Sequence, residues 1–182
     1  MHNKFIVVDA DSQDDSWVVT GSTNFTEQNI ATDFNNTIFI QDQALARGYE
    51  LEMNEMWGSD TATPDFLNLT FGEDKKDNTP HTFIINGITV ESYFSPSDKT
   101  TNAIQSAIET ADTDLEFILL TFTRNELGDA VIAAHQNGVN VRGMINNTGD
   151  QGSEFGFLQS NGVDVTNNPT PSKVLHLSLI HI

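Results

Sequence analysis

From Ser97 onward, apolar stretches of strand length alternate with stretches of helical period, and this alternation constrains the fold more than any other feature. Ser97 to Ala111 places Ala103, Ile104, Ala107, Ile108 and Ala111 on one helical face. Leu115 to Thr123, with Glu116-Phe117-Ile118-Leu119-Leu120 at its heart, reads as a buried strand. Asn125 to Asn137 is a second helix stopped by Gly138, and Val139 to Ile145 the next strand. A short helix around Glu154 to Gln159 and a strand at Val163-Asp164-Val165 follow. Strand, helix, strand at these lengths implies right-handed crossovers, so the expected fold class is α/β, a mixed and largely parallel sheet flanked by helices.

The preceding half is built differently. Phe83-Ile84-Ile85 and Ile88-Thr89-Val90 flank Asn86-Gly87, the signal of a type I′ hairpin. Before it, Gly58 to Pro80 is rich in Gly, Ser, Thr, Asp and Pro and reads as a linker or surface loop, with Lys75-Lys76 solvated. Gln41 to Trp57 has Leu45, Tyr49, Met53, Met56 and Trp57 at helical spacing, with its acids expected on the opposite, solvated face. Thr37 to Ile40 is a short strand, and Phe25 to Asp33 a polar connection.

The chemistry is concentrated at the start. Phe5-Ile6-Val7-Val8 makes Met1 to Asp9 read as a buried strand, so His2 and Lys4, two apart, are expected on the same face. An imidazole titrating near neutrality beside an ammonium suits a phosphate group: the ring attacks phosphorus or moves a proton, and the lysine neutralises oxygens. Asp11 to Ser16 is then a hairpin turn, Trp17 to Thr20 a return strand, and Gly21-Ser22-Thr23-Asn24 an uncharged anion cradle delivered back to the same end. Asp9 to Asp14 fits a calcium loop poorly, because Asp14 stands where the turn glycine belongs and no closing Glu follows.

His-x-Lys-x-x-x-x-Asp followed by Gly-Ser-x-Asn resembles the HKD signature of the phospholipase D superfamily, residue for residue at His2, Lys4, Asp9, Gly21, Ser22 and Asn24. Two departures stand out. The loop from Asp9 to Gly21 is somewhat long, and Asn35-Asn36 replaces the acidic residue that the family often carries before an Asn ahead of the next strand. The resemblance implies a phospholipase D-like fold of two pseudo-symmetric lobes, each giving one His-x-Lys. It implies a metal-independent reaction with no cofactor, in which one His attacks the phosphodiester and the other protonates the leaving alkoxide. His2 is then the nucleophile, Lys4, Ser22 and Asn24 with Gly21 hold phosphate, and Asp9 supports the ionic network.

Near the end, Lys173-Val174-Leu175-His176 arrives where the family's second His-x-Lys belongs. Aligning His176 on His2 matches Leu179, Ile180 and Ile182 to Phe5, Ile6 and Val8, but places Ser178 against Lys4 and ends one residue before the Asp. His176 is the candidate acid. The expected division is 1–72, the C-terminal part of a first lobe with an intact motif, and 73–182, the N-terminal part of a second lobe with an incomplete one. The chain is thus expected to be a truncated fragment, nearly inactive alone, whose opposing motif comes from missing sequence or a second copy. His135, near a helix end, reads as a surface residue.

Composition limits the alternatives. Eight Lys and Arg against 26 Asp and Glu give a net charge of -18, which repels polyanions and lacks the basic stripe of a nucleic-acid binder. Cysteine is absent, which excludes disulfides, thiolate zinc sites and a thiol nucleophile. No apolar run approaches the roughly 20 residues of a membrane-spanning helix. The expected substrate is a phospholipid phosphodiester, with nucleic acid as the rival, no metal, and no stable membrane insertion. A non-catalytic acidic binding module with a relic motif is the reading from another class. An extracytoplasmic or secreted bacterial setting is favoured.

Overall fold

The computed structural model describes residues 2–170 and 172–181. In chain order its elements are β1 (Phe5–Val8), β2 (Trp17–Gly21), α1 (Glu27–Ala31), β3 (Thr37–Gln41), α2 (Gln43–Trp57), β4 (Thr82–Ile85), β5 (Ile88–Glu91), α3 (Thr100–Glu109), β6 (Asp114–Leu119), α4 (Asn125–Gln136), β7 (Asn140–Ile145), α5 (Phe155–Ser160), β8 (Asp164–Asn167) and β9 (Ser178–His181). They form two compact units, Met1–Gly21 with Thr37–Thr100, and Ser22–Asn36 with Thr101–Ile182.

The first unit is an antiparallel meander, β1-β2-β3, with the β4-β5 hairpin. The loop from Asp9 to Ser16 is too short for the crossover that a parallel pair needs, and β3 returns antiparallel to β2 after the longer stretch that holds α1. Phe5 pairs with Thr20 and Thr20 with Ile38, so Phe5 and Val7 share a face with Val18 and Ile40. Helix α2 covers that face: Val18, Leu45, Ala46 and Phe83 are buried together, with Val7, Ile40 and Tyr49 against them. The other face is largely open, leaving Ile6 and Phe39 45% and 66% exposed. The first strand is therefore half-buried and shorter than the sequence predicts, with His2 and Lys4 ahead of its paired residues. The hairpin turns at Asn86 and Gly87 with φ of 50° and 81°, as the dipeptide predicts.

Helix α2 is capped by the Asp42 carboxylate accepting from the Leu45 amide at 2.8 Å, and ends at Gly58 with φ 81°. Its buried stripe differs from the expected one: Glu52 is buried, while Met53 is 39% exposed. Burying a carboxylate alone costs several kcal/mol, so it needs a partner. The partner is Lys75, whose side chain is 4% exposed and grips Glu52 Oε1. Lys75, read from the sequence as solvated, is thus a core residue of this unit.

The second unit has the sheet order β8-β7-β6-β9. The β6-β7 and β7-β8 pairs are parallel and joined through α4 and α5, as the alternation predicts, while β9 lies antiparallel against β6. Among the described residues the parallel strand pairs lie in this sheet. Leu115, Phe117, Val141, Ile145 and Val165 form one core with Ile108, Val131 and Leu158. Gly143 allows that packing, because a Cβ there would collide with the Phe117 ring. The stretch from Phe25 to Asp33, expected to be a plain connection, contains α1. Ile182, aligned on Val8 above, and Met1 lie outside the described residues. Among the described residues no helix is long and apolar enough to cross a membrane.

Candidate functional site

His2 and Lys4 meet without a full strand between them. Lys4 Nζ lies 3.1 Å from each ring nitrogen of His2 and donates to the His2 carbonyl at 2.9 Å. The Thr20 hydroxyl donates to the Lys4 carbonyl at 3.2 Å, which ties the tripeptide to β2. Partial burial lowers the Lys4 pKa from its ordinary value.

Asp9 ends β1 in the left-handed region, φ 45°, and its carbonyl accepts from the Ser12 amide and the Ser16 hydroxyl, each at 2.8 Å. Its carboxylate is exposed. The described contacts of Asp9 serve the hairpin turn, through the backbone. Gly21 closes β2 opposite Thr37 with φ 144°, a conformation a larger side chain rarely adopts.

Ser22, Asn24 and His176 lie in the second unit. The Ser22 amide donates to the Asn36 carbonyl at 3.0 Å and the Ser22 hydroxyl accepts from the Asn36 amide at 3.1 Å. The Asn24 amide donates to Asn29 Oδ1 at 2.6 Å, and Asn29 Nδ2 to Asp33 Oδ2 at 3.0 Å. Asn35, the departure from the family pattern, donates to the carbonyls of Asn29 and Asp33. His176 Nδ1 reaches the Ser22 carbonyl at 2.7 Å. The residue before it is fixed by Asn146 Oδ1 accepting from the Leu175 amide at 3.1 Å, with Phe34 and Leu175 bridged in parallel. The structure therefore pairs His2 with Lys4 in one unit and Ser22 with His176 in the other.

Sequence reasoning missed Asn29, Asp33 and Asn146, polar residues in loops or short elements whose role is visible only as hydrogen bonds. It also missed Glu52, which accepts from Asn3 Nδ2 at 3.1 Å. Beside Ser178, an apolar crevice of about 390 Å³ is lined by Ile104, Phe117, Leu119, Phe122 and Leu127, with Arg124 at its edge.

Among the described residues, Asp77, His81 and Asp98 place one ligand atom each within 4.8 Å of one another. Their contacts account for them without a metal. His81 Nδ1 faces the Ser92 carbonyl at 3.0 Å and Nε2 faces Asp77 Oδ1 at 2.9 Å, while the Asp98 carboxylate accepts from the Phe94 amide and the Ser97 hydroxyl. Burial works to lower the His81 pKa, but the Ser92 carbonyl, Asp77 and Asp98 together raise it above its ordinary value. Acceptors facing both nitrogens favour the doubly protonated ring, the form with no lone pair to offer a metal.

Residues 1–57 match the family model described as cardiolipin synthase, PLD-like domain. The fold is similar to the crystal structure of phosphatidylserine synthase from Haemophilus influenzae Rd KW20, with a TM-score of 0.63 and 13% sequence identity. That match covers 100% of this chain and 51% of the other, so the chain spans about half the length of that protein. No curated protein sequence gives a significant match.

Proposed function

We propose, from a chain whose first 57 residues match the model of a PLD-like domain and whose fold is phospholipase D-like, that it supplies part of a site for breaking a phospholipid phosphodiester. The observation that carries this reading is the contact of Lys4 Nζ with the His2 ring. His2 attacks phosphorus, and the P–O bond to the leaving alkoxide breaks as the N–P bond forms. The leaving oxygen takes its proton from His176. Lys4, Ser22 and Asn24 neutralise the phosphoryl oxygens, and the backbone at Gly21 keeps the cradle open. Asp9 supports the network by closing the strand that carries the motif. Water or an alcohol then attacks the phosphohistidine, releasing His2.

Both matched descriptions name synthases of phospholipids, which supports a lipid substrate and an alcohol as acceptor beside water. A net charge of -18 argues against the endonuclease reading, since binding a polyanion relies on released counterions and basic contacts. The opposing lysine comes from a second copy or from further sequence, because Ser178 stands where it would be. Residues 1–72 and 73–182 then represent parts of two lobes.

The test is to incubate the chain with ³²P-labelled phosphatidylglycerol in EDTA and to look for an acid-labile, alkali-stable phosphoenzyme. Label on His2, lost in His2→Ala, together with headgroup release or transfer of the labelled phosphatidyl group to added ethanol, is the expected result. Cleavage of single-stranded nucleic acid without lipid turnover would move the assignment to the nuclease class. Absence of any phosphoenzyme in chain paired with an intact second motif would leave a binding module.

A further inference from the structure

We infer that the buried Glu52–Lys75 pair is a positioning element for the His2-Asn3-Lys4 tripeptide, acting through the Asn3 side chain. Its catalytic consequence rests on the phosphodiester reading above, while its structural content does not.

Asn3 sits between the two residues of the motif, and its Nδ2 donates to Glu52 Oε1 at 3.1 Å. The same oxygen is gripped by Lys75 Nζ. Successive side chains of a segment running into a strand point to opposite sides. With Asn3 drawn down onto α2, His2 and Lys4 are both turned away from it and toward each other, as their contact shows. Residues 2–4 precede the paired residues of β1, whose register begins at Phe5 opposite Thr20. Polar contacts on this segment include the Thr20 hydroxyl on the Lys4 carbonyl and Glu52 on Asn3.

The acceptor is itself immobile. Glu52 and Lys75 are 1% and 4% exposed, and Lys75 Nζ also donates to the Ser95 carbonyl at 3.3 Å and lies 5.7 Å from the centre of the Phe94 ring. Phe94 packs on Tyr49 and approaches Phe5, the residue that follows Lys4. The tripeptide is thus held on its Asn3 side chain and on the next residue by one cluster. A buried ion pair stabilises a fold little better than apolar side chains of the same size. Its particular property at this place is a fixed, charged acceptor, whose hydrogen bond is about twice as strong as a neutral one.

Backbone ¹⁵N relaxation on the full chain tests this, with Asn3→Ala and the double variant Glu52→Met/Lys75→Met, which removes the pair without stranding a charge. In both variants residues 2–4 are expected to gain fast motion, while β1 and the denaturation midpoint stay as in the wild type. Asn3→Gln, which keeps an amide donor, is expected to restore part of the order. Unchanged relaxation at residues 2–4 in Asn3→Ala would overturn the inference, as would loosening spread evenly over β1. In the form that turns over lipid, kcat is expected to fall roughly tenfold to a hundredfold with KM unchanged, the signature of a misplaced reacting group. Loosened residues 2–4 with no lipid turnover even in the wild type would uphold the positioning role and sink the phosphodiester reading alone.

Discussion

His176 Nδ1 lies 2.7 Å from the carbonyl oxygen of Ser22, so a candidate proton donor from the end of the chain is held by the cradle that follows the first motif. A carbonyl only accepts, so Nδ1 carries the proton and, in the neutral ring, the lone pair belongs to Nε2. The contact spans 154 positions and lies within one unit. It fixes both the ring's tautomer and its orientation.

Long-range ¹H–¹⁵N correlation of the histidine rings is expected to show His176 as the Nδ1–H tautomer when neutral. An Nε2–H tautomer would contradict the contact. His176→Asn, which retains a donor of similar reach, is expected to keep the fold while removing the candidate proton donor.

Removing one partner of the buried pair strands the other. Glu52→Ala leaves Lys75 buried without its carboxylate and is expected to cost roughly 3–5 kcal/mol in denaturant unfolding. The Met/Met double variant is expected to stay near the wild type. Burial pushes the Glu52 carboxyl up against the pull of Lys75, so the pair contributes most where the lysine stays charged and the acid has ionised.

His81 gives stability a pH dependence of definite sign. Its folded pKa is raised, so its contribution is fully present below the ordinary histidine value of about 6.5 and is lost as pH rises through the folded value. Thermal midpoints taken from pH 5 to 9 are expected to fall across that window in the wild type. His81→Gln should flatten this part of the profile, and a profile identical to the wild type would refute the assignment.

Glu154 is buried, and burial, reinforced by Asp129 and Glu126, raises its pKa. A raised acid binds its proton more tightly in the folded state, so its ionised form lowers stability as pH climbs through the folded value. Glu154→Gln is expected to stabilise the protein by roughly 0.5–2 kcal/mol at neutral pH, with the gain shrinking toward acid.

The Glu154 carboxylate also lies where a Cβ on Gly128 would go. Gly128→Ala is therefore expected to cost about 1–3 kcal/mol by overpacking. Adding Glu154→Ala should recover part of that loss, and strict additivity of the two changes in denaturant unfolding would refute the contact.

Local patterns reached far in this chain. The helices α3 and α4, the strand between them, the Asn86-Gly87 turn and the order His2, Lys4, Asp9, Gly21, Ser22, Asn24 were all legible, because each depends on periodicity, turn chemistry or spacing within a few residues. The antiparallel seat of β9 and the bridge of Phe34 to Leu175 were not, since strand partners far apart in sequence leave no local mark. Lys75 shows the limit most plainly. Beside Lys76 in a polar loop it has the pattern of a solvated charge, and only the fold brings the loop onto α2 and gives it Glu52. The sequence by itself determined which candidate residues stand at the start of the chain, and in what order and spacing. The tertiary structure decided which charges are buried in pairs, and so which acceptor the Asn3 side chain meets, because burial is a property of the neighbours a residue meets in space.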